Sequence, residues 1–136
     1  MAEVICTICS REKDQRPGLL RADKRYLGEH VKEAIMIARR ERQPLFILSG
    51  KYGLISVRHE SENYDRRLTY NGVATLSKVV AKQIKAAGIE AIWYYHKPEE
   101  SWMPYLRLLM EAAKETKVGF NLMLPSGHYA ADLKSE

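Results

Sequence analysis

The stretch Pro44-Leu45-Phe46-Ile47-Leu48-Ser49-Gly50-Lys51-Tyr52-Gly53-Leu54 decides how this chain reads. Leu45 to Leu48 is a continuous apolar run of strand length rather than helix length, opened by a proline that ends any preceding helix. A run without polar alternation suits a strand covered on both faces. Upstream, Glu29 to Arg42 carries Val31, Ala34, Ile35 and Ala38 at helical spacing and a basic last turn that complements the helix dipole. Before it, Glu3 to Ile8 reads as a short buried strand. Downstream, Val73, Leu76, Val80 and Ile84 form one stripe of a helix from about Val73 to Ala87, closed by Gly88. Ala91 to Tyr95 is a third strand and Val118 to Leu124 a fourth. Between them Ser101 is the expected N-cap of a helix carrying Leu106, Leu109, Met110 and Ala113, with Pro104 in its first turn. The order β-α-β-α-β-α-β predicts a single α/β domain over residues 1–128. Its expected architecture is a three-layer α/β/α, Rossmann-like arrangement with a mostly parallel sheet of about four strands. Residues 129–136 are polar enough to fray.

With 136 residues, 46% of them hydrophobic, the chain can bury a core without disulfides or a structural metal. Its apolar runs fall far short of the roughly 20 residues of a membrane span, and Met1-Ala2-Glu3-Val4 lacks a basic leader region, so a cytoplasmic protein with no membrane partner is expected. Lys and Arg number 22 against 17 Asp and Glu, a net charge of +5 that favours phosphates or nucleic acid as partners. Long single-sign blocks of the kind seen in binding tails are absent. Cys6-Thr7-Ile8-Cys9 suggests a redox pair or half a zinc site, but residues three apart on a strand point to opposite faces. None of His30, His59, His96 and His128 has a paired ligand spacing, so neither a metal nor a cofactor is expected.

Two connections are too long for ordinary α/β turns, Ser10 to Gly28 and Ser49 to Gly72, and both leave the carboxyl edge of a parallel sheet, where open α/β folds bind ligands. The first holds six basic residues against three acidic ones, which suits an anion or merely makes a solvated loop. Ser10 and Lys13 stand nearest the strand end. The second opens with Ser49-Gly50-Lys51-Tyr52-Gly53, whose glycines would let backbone N–H groups approach a ligand. It is not a Walker A loop, because the lysine precedes Tyr52 rather than a helix-opening Ser or Thr. The competing reading is a glycine-rich turn whose tyrosine packs on the core. Further on, Tyr64-Asp65-Arg66-Arg67 offers Asp65 as a general base or hydroxyl anchor, against the plainer reading of a surface Asp–Arg pair. His96 and His128 would end the third and fourth strands, where a histidine either moves protons or simply holds structure.

Taken in order, Cys9-Ser10-Arg11-Glu12-Lys13, Ile47-Leu48-Ser49-Gly50-Lys51-Tyr52-Gly53-Leu54-Ile55 and Tyr64-Asp65 before Leu68 resemble the domain-of-unknown-function (DUF) 6884 family. The Ser-Gly-x-Tyr-Gly-Leu portion is also similar, more distantly, to the YaaA peroxide-stress family. The resemblance covers about the first half of the chain, with Gly50 where the family usually has alanine. It implies that Ser10, Lys13, Ser49, Lys51, Tyr52, Tyr64 and Asp65 share one pocket.

Three functions compete. The first is a pocket for a nucleotide- or nucleoside-type ligand, with Lys51 and Lys13 on an anionic group and Tyr52 or Tyr64 stacked on a base. Gly50 and Gly53 would shape the loop, and Asp65 with Lys51 would form the catalytic pair in glycosidic-bond chemistry. The second is a non-catalytic nucleic-acid-binding module using the basic loop and Arg39-Arg40-Glu41-Arg42. The third is an interaction domain, a homo-oligomer held through an exposed patch around Trp93-Tyr94-Tyr95 and Trp102-Met103-Pro104-Tyr105.

Overall fold

In the computed structural model, which describes residues 3–64 and 67–125, the apolar runs form strands and the periodic stretches form helices. In chain order these are β1 (Glu3–Ile8), β2 (Leu20–Arg21), α1 (Ala22–Arg25), α2 (Glu29–Glu41), β3 (Leu45–Ser49), β4 (Gly53–Ser56), β5 (Glu60–Ser61), α3 (Tyr70–Ala87), β6 (Ala91–Tyr95), α4 (Met103–Thr116) and β7 (Gly119–Met123). A 3₁₀ turn at Glu100–Trp102 leads into α4. The domain is mixed α/β, with one five-stranded sheet in the order β4-β3-β1-β6-β7. All neighbours in it are parallel except β3 and β4.

The fifth strand departs from the expected four, and its physical cause lies in the turn before it. Ser49 pairs with Gly53, so Gly50, Lys51 and Tyr52 form a three-residue hairpin loop. Gly53 closes it with φ at +79°, the left-handed conformation that such hairpins place after a type I turn. The two long connections are likewise not structureless. β2 and β5, one from each, pair antiparallel into a small second sheet, and α1 follows β2 directly.

Helix ends follow local chemistry. Gly88 ends α3 at φ +68°, as expected, although α3 begins earlier, at Tyr70. Pro104 occupies the first turn of α4, but the N-cap is Trp102; Ser101, expected in that role, lies inside the 3₁₀ turn.

Period-two alternation divides the β3–β4 hairpin between two clusters. Ile47 and Ile55, paired in register, pack with Val31 of α2 and with Ala22 and Tyr26. Leu48 and Leu54, the next pair, belong to the main core with Val80 and Ile84 of α3 and Leu108 and Leu109 of α4. Each such side chain stabilises the fold by about 1.5–3 kcal/mol. The aromatic patch expected on the surface is instead interior: Tyr94, Tyr95, Trp102 and Tyr105 are buried and Trp93 is half-buried. Both cysteines are free thiols. Among the described residues no helix is long and apolar enough to cross a membrane.

Candidate functional site

β1 lies between β3 and β6, so the chain leaves it toward one flank through α2 and returns through α3 to the other. In open α/β sheets such a divergence opens a crevice at the carboxyl ends of the strands. Here it is a cleft of about 740 Å³, walled by Ile8–Lys13 after β1, Gly28–His30 at the start of α2, and Lys97, Trp102, Tyr105 and Arg67. That volume suits a small molecule. Arg11, Lys13, Arg67 and Lys97 face it against Glu12, Glu29 and Glu99. The N-terminus of α2, whose first N–H groups have no partner within the helix, adds positive potential at the same wall. A second groove of about 910 Å³ runs along α4 to β7, lined largely by apolar side chains, and shares no lining residue with this cleft.

Of the sequence-expected residues, Ser10 and Lys13 line the cleft. Ser10 is buried and shapes the wall: its hydroxyl donates to Glu12 O at 2.7 Å and accepts the Gly28 N–H at 3.1 Å. A Cβ on Gly28 would stand 2.7 Å from Ser10 Cβ, so only glycine permits this closure. Arg67, Lys97, His30 and Trp102 went unforeseen because they come from separate elements that only folding brings together. His30 Nε2 lies 2.9 Å from Ile8 O and 3.3 Å from Cys9 O. Its ring meets Trp102 edge-on at 4.7 Å, and burial holds its pKa below the usual histidine value. Tyr105 fixes the segment carrying Arg67, accepting the Leu68 N–H at 3.1 Å while Cys9 Sγ lies 3.9 Å from the same hydroxyl. His96 is buried, edge-on to Trp102 at 6.0 Å, and its Nδ1 has no partner among the described residues. His128 lies outside the described residues, as do Asp65 and Arg66.

The other expected residues meet beside Lys13. Ser49 Oγ accepts the N–H groups of Lys51 and Tyr52, each at 3.1 Å, so the turn donors expected to face a ligand are spent on this serine. With both lone pairs so engaged, its proton points to Tyr64 Oη at 2.5 Å, and Tyr64 Oη in turn shares a hydrogen bond with Tyr26 Oη at 2.6 Å. Burial pushes the Tyr26 phenol up to about 12 and that of Tyr64 higher still, so both remain protonated at neutral pH. Lys13 Nζ lies 5.1 Å and Lys51 Nζ 5.4 Å from the Tyr64 ring centroid, within cation–π range. Lys51 is also ion-paired with Glu62, whereas Lys13 has no carboxylate partner among the described residues. Tyr52 meets Tyr64 edge-on at 5.5 Å. Gly50 sits half-buried within the turn.

Two residues invisible to motif reading hold this cluster. Arg25, fully buried, donates to the carbonyls of Asp14, Arg16, Gly18 and Ser61, joining the two long connections with no carboxylate partner among the described residues. Gln83 of α3 grips the hairpin: Oε1 accepts the Leu54 N–H at 2.7 Å and Nε2 donates to Tyr52 O at 3.0 Å. A Cβ on Gly53 would stand 2.6 Å from that Oε1. The arrangement thus gathers Lys13, Ser49, Lys51, Tyr52 and Tyr64 around one ring and leaves Lys13 shared with the cleft.

No curated protein and no solved structure matches the chain. A family pattern does, over residues 4–117, from β1 through α4, and so far beyond Leu68, where the motif resemblance stops. It takes in every described residue of the cleft and of the tyrosine–lysine cluster. The chain belongs to this family of unknown function, DUF6884.

Proposed function

We propose that the domain binds a small anionic, nucleotide-type ligand in the cleft at the carboxyl ends of β1 and β6. The observation that carries the reading is the convergence of Lys13, Arg67 and Lys97 with the N-terminus of α2 around a volume of small-molecule size. In this reading the three cations hold the anionic group and Trp102 and Tyr105 offer ring surface. The Tyr26 and Tyr64 rings hold Lys13 at the boundary, and Asp65 serves as general base or hydroxyl anchor for glycosidic-bond chemistry. The same reading takes the fold as three-layered and Rossmann-like, with α2 and the α3–α4 pair covering opposite faces of the sheet. The division of the β3–β4 side chains between two clusters supports it.

Thermal denaturation with nucleoside monophosphates, nucleosides and short oligonucleotides tests the proposal. The monophosphates are expected to raise Tm more than the nucleosides. Lys97→Ala and Arg67→Ala should each weaken the monophosphate about tenfold, the loss of one charge-assisted hydrogen bond. A response confined to oligonucleotides and abolished by moderate salt would replace the pocket with nucleic-acid binding. No response to any of them would favour an interaction domain.

A further inference from the structure

The histidine at the start of α2 carries more information than its burial suggests. With two backbone carbonyls, Ile8 O and Cys9 O, facing Nε2, that nitrogen must bear the proton, which leaves Nδ1 with a lone pair. Nδ1 is on the Gly28 side of the ring, where a Cβ at position 28 would come within 3.1 Å of it. His30 and Gly28 both line the cleft. No described residue hydrogen-bonds to this nitrogen, and it is not among the enclosed nitrogens, as Nδ1 of His59 and Nδ1 of His96 are. The Trp102 ring, edge-on at 4.7 Å, and the Nε2 bonds together fix the plane of the imidazole. The lowered pKa keeps the ring neutral at pH 7, with Lys97 and Glu12 exerting opposed charge effects on it from the facing elements.

We propose that His30 Nδ1 is the cleft's fixed acceptor for a ligand O–H or N–H, so that the site selects molecules carrying such a donor beside their anionic group. This rests on the reading of the cleft as a nucleotide-type site. Arg67 and Lys97 can only donate hydrogen bonds, and they recognise the anion without regard to what else the ligand bears. The carboxylates of Glu12, Glu29 and Glu99 also accept but belong to exposed residues, whereas Nδ1, on a ring held in place, supplies the complementary test at a fixed point. A sugar hydroxyl or a base amine satisfies it, whereas a bare oxyanion does not.

The test pairs wild type with His30→Gln, whose amide N–H can still donate to Ile8 O but places no acceptor at the Nδ1 position. Calorimetric titration uses two probes, adenosine monophosphate, which carries donors, and sulfate, which carries none at neutral pH. The variant should lose about tenfold in affinity for the nucleotide and stay within about twofold for sulfate. Equal loss for both probes, or none for either, overturns the assignment. Should wild type bind neither, it is the cleft reading that fails. The accessibility of the acceptor is then decided by diethyl pyrocarbonate modification of the native protein, mapped by mass spectrometry. Carbethoxylation of His30 with His59 and His96 spared supports an open Nδ1, and protection of His30 overturns it.

Discussion

The tyrosine–lysine cluster and the cleft stand on either side of Lys13, and they dispose of their polar groups in opposite ways. In the cluster the groups are engaged with one another: Ser49 with two turn N–H groups and Tyr64, Tyr64 with Tyr26, Lys51 with Glu62. In the cleft, Lys13 lacks a carboxylate partner among the described residues and His30 Nδ1 has no hydrogen-bond partner there, while Arg67 and Lys97 converge on the same space. The motif that looks most chemical, Ser49-Gly50-Lys51-Tyr52-Gly53, is largely used in building a wall. Of the groups left for a ligand, Lys13 belongs to a motif, whereas His30 and Lys97 are residues that no motif marks.

The largest effect that would break this contrast is expected at Arg25. Arg25→Met keeps much of the side-chain volume but strips four carbonyls, that of Ser61 buried and the others partly so, of their donor, and should cost about 3 kcal/mol or more by urea denaturation. A loss below about 1 kcal/mol would show that the two connections hold without it. Next, Tyr64→Phe removes the hydroxyl from the middle of the chain but keeps the ring beneath Lys13. About 1–2 kcal/mol of stability should go, with nucleotide affinity within about threefold of wild type. A collapse of binding with stability intact would put the chemistry in the cluster instead of the cleft.

The smallest expected effects concern pH. The buried phenols of Tyr26 and Tyr64 have folded pKa values above the unfolded value of about 10. Their contribution is therefore complete below pH 10 and is lost as pH rises through the interval to about 12, where only the unfolded chain releases protons. His30 and His96 are shifted downward, so their contribution is complete above about 6.5 and declines as the pH falls. Denaturation midpoints across pH, with Tyr64→Phe and His30→Gln as controls, separate the two limbs. Replacing Tyr64 should shrink the alkaline loss, and replacing His30 the acid loss.

The scaffold was legible because its signals are local. Apolar runs such as Leu45–Leu48, the stripe of Val73, Val80 and Ile84, and the stop at Gly88 each act within a few residues. β4 escaped because Gly53-Leu54-Ile55-Ser56 is short and its partner lies across a glycine turn that reads equally as the start of a loop. Of the seven residues the resemblance groups together, Lys13, Ser49, Lys51, Tyr52 and Tyr64 meet around the Tyr64 ring, Ser10 lies in the cleft wall and Asp65 lies outside the described residues. The engagement of the five with one another depends on distances that no spacing encodes. In the sequence His30 is only one of four histidines without a paired ligand spacing. What sets it apart is the pair of carbonyls of Ile8, which ends β1, and Cys9, which follows it, some twenty residues earlier in the chain, a contact created by the topology alone.

The grip of Gln83 on the hairpin has a consequence beyond holding a turn. β4 is the outermost strand on its side of the sheet, and an outermost strand presents backbone groups that can recruit a foreign strand. One primary amide here satisfies both the Leu54 N–H and the Tyr52 carbonyl, pairing with the chain much as another peptide group would. Because Gln83 is carried on α3, that mock peptide is tethered and cannot propagate. At the mouth of the hairpin the margin of the sheet is thus capped by a side chain, and a foreign strand could pair there only by displacing Gln83.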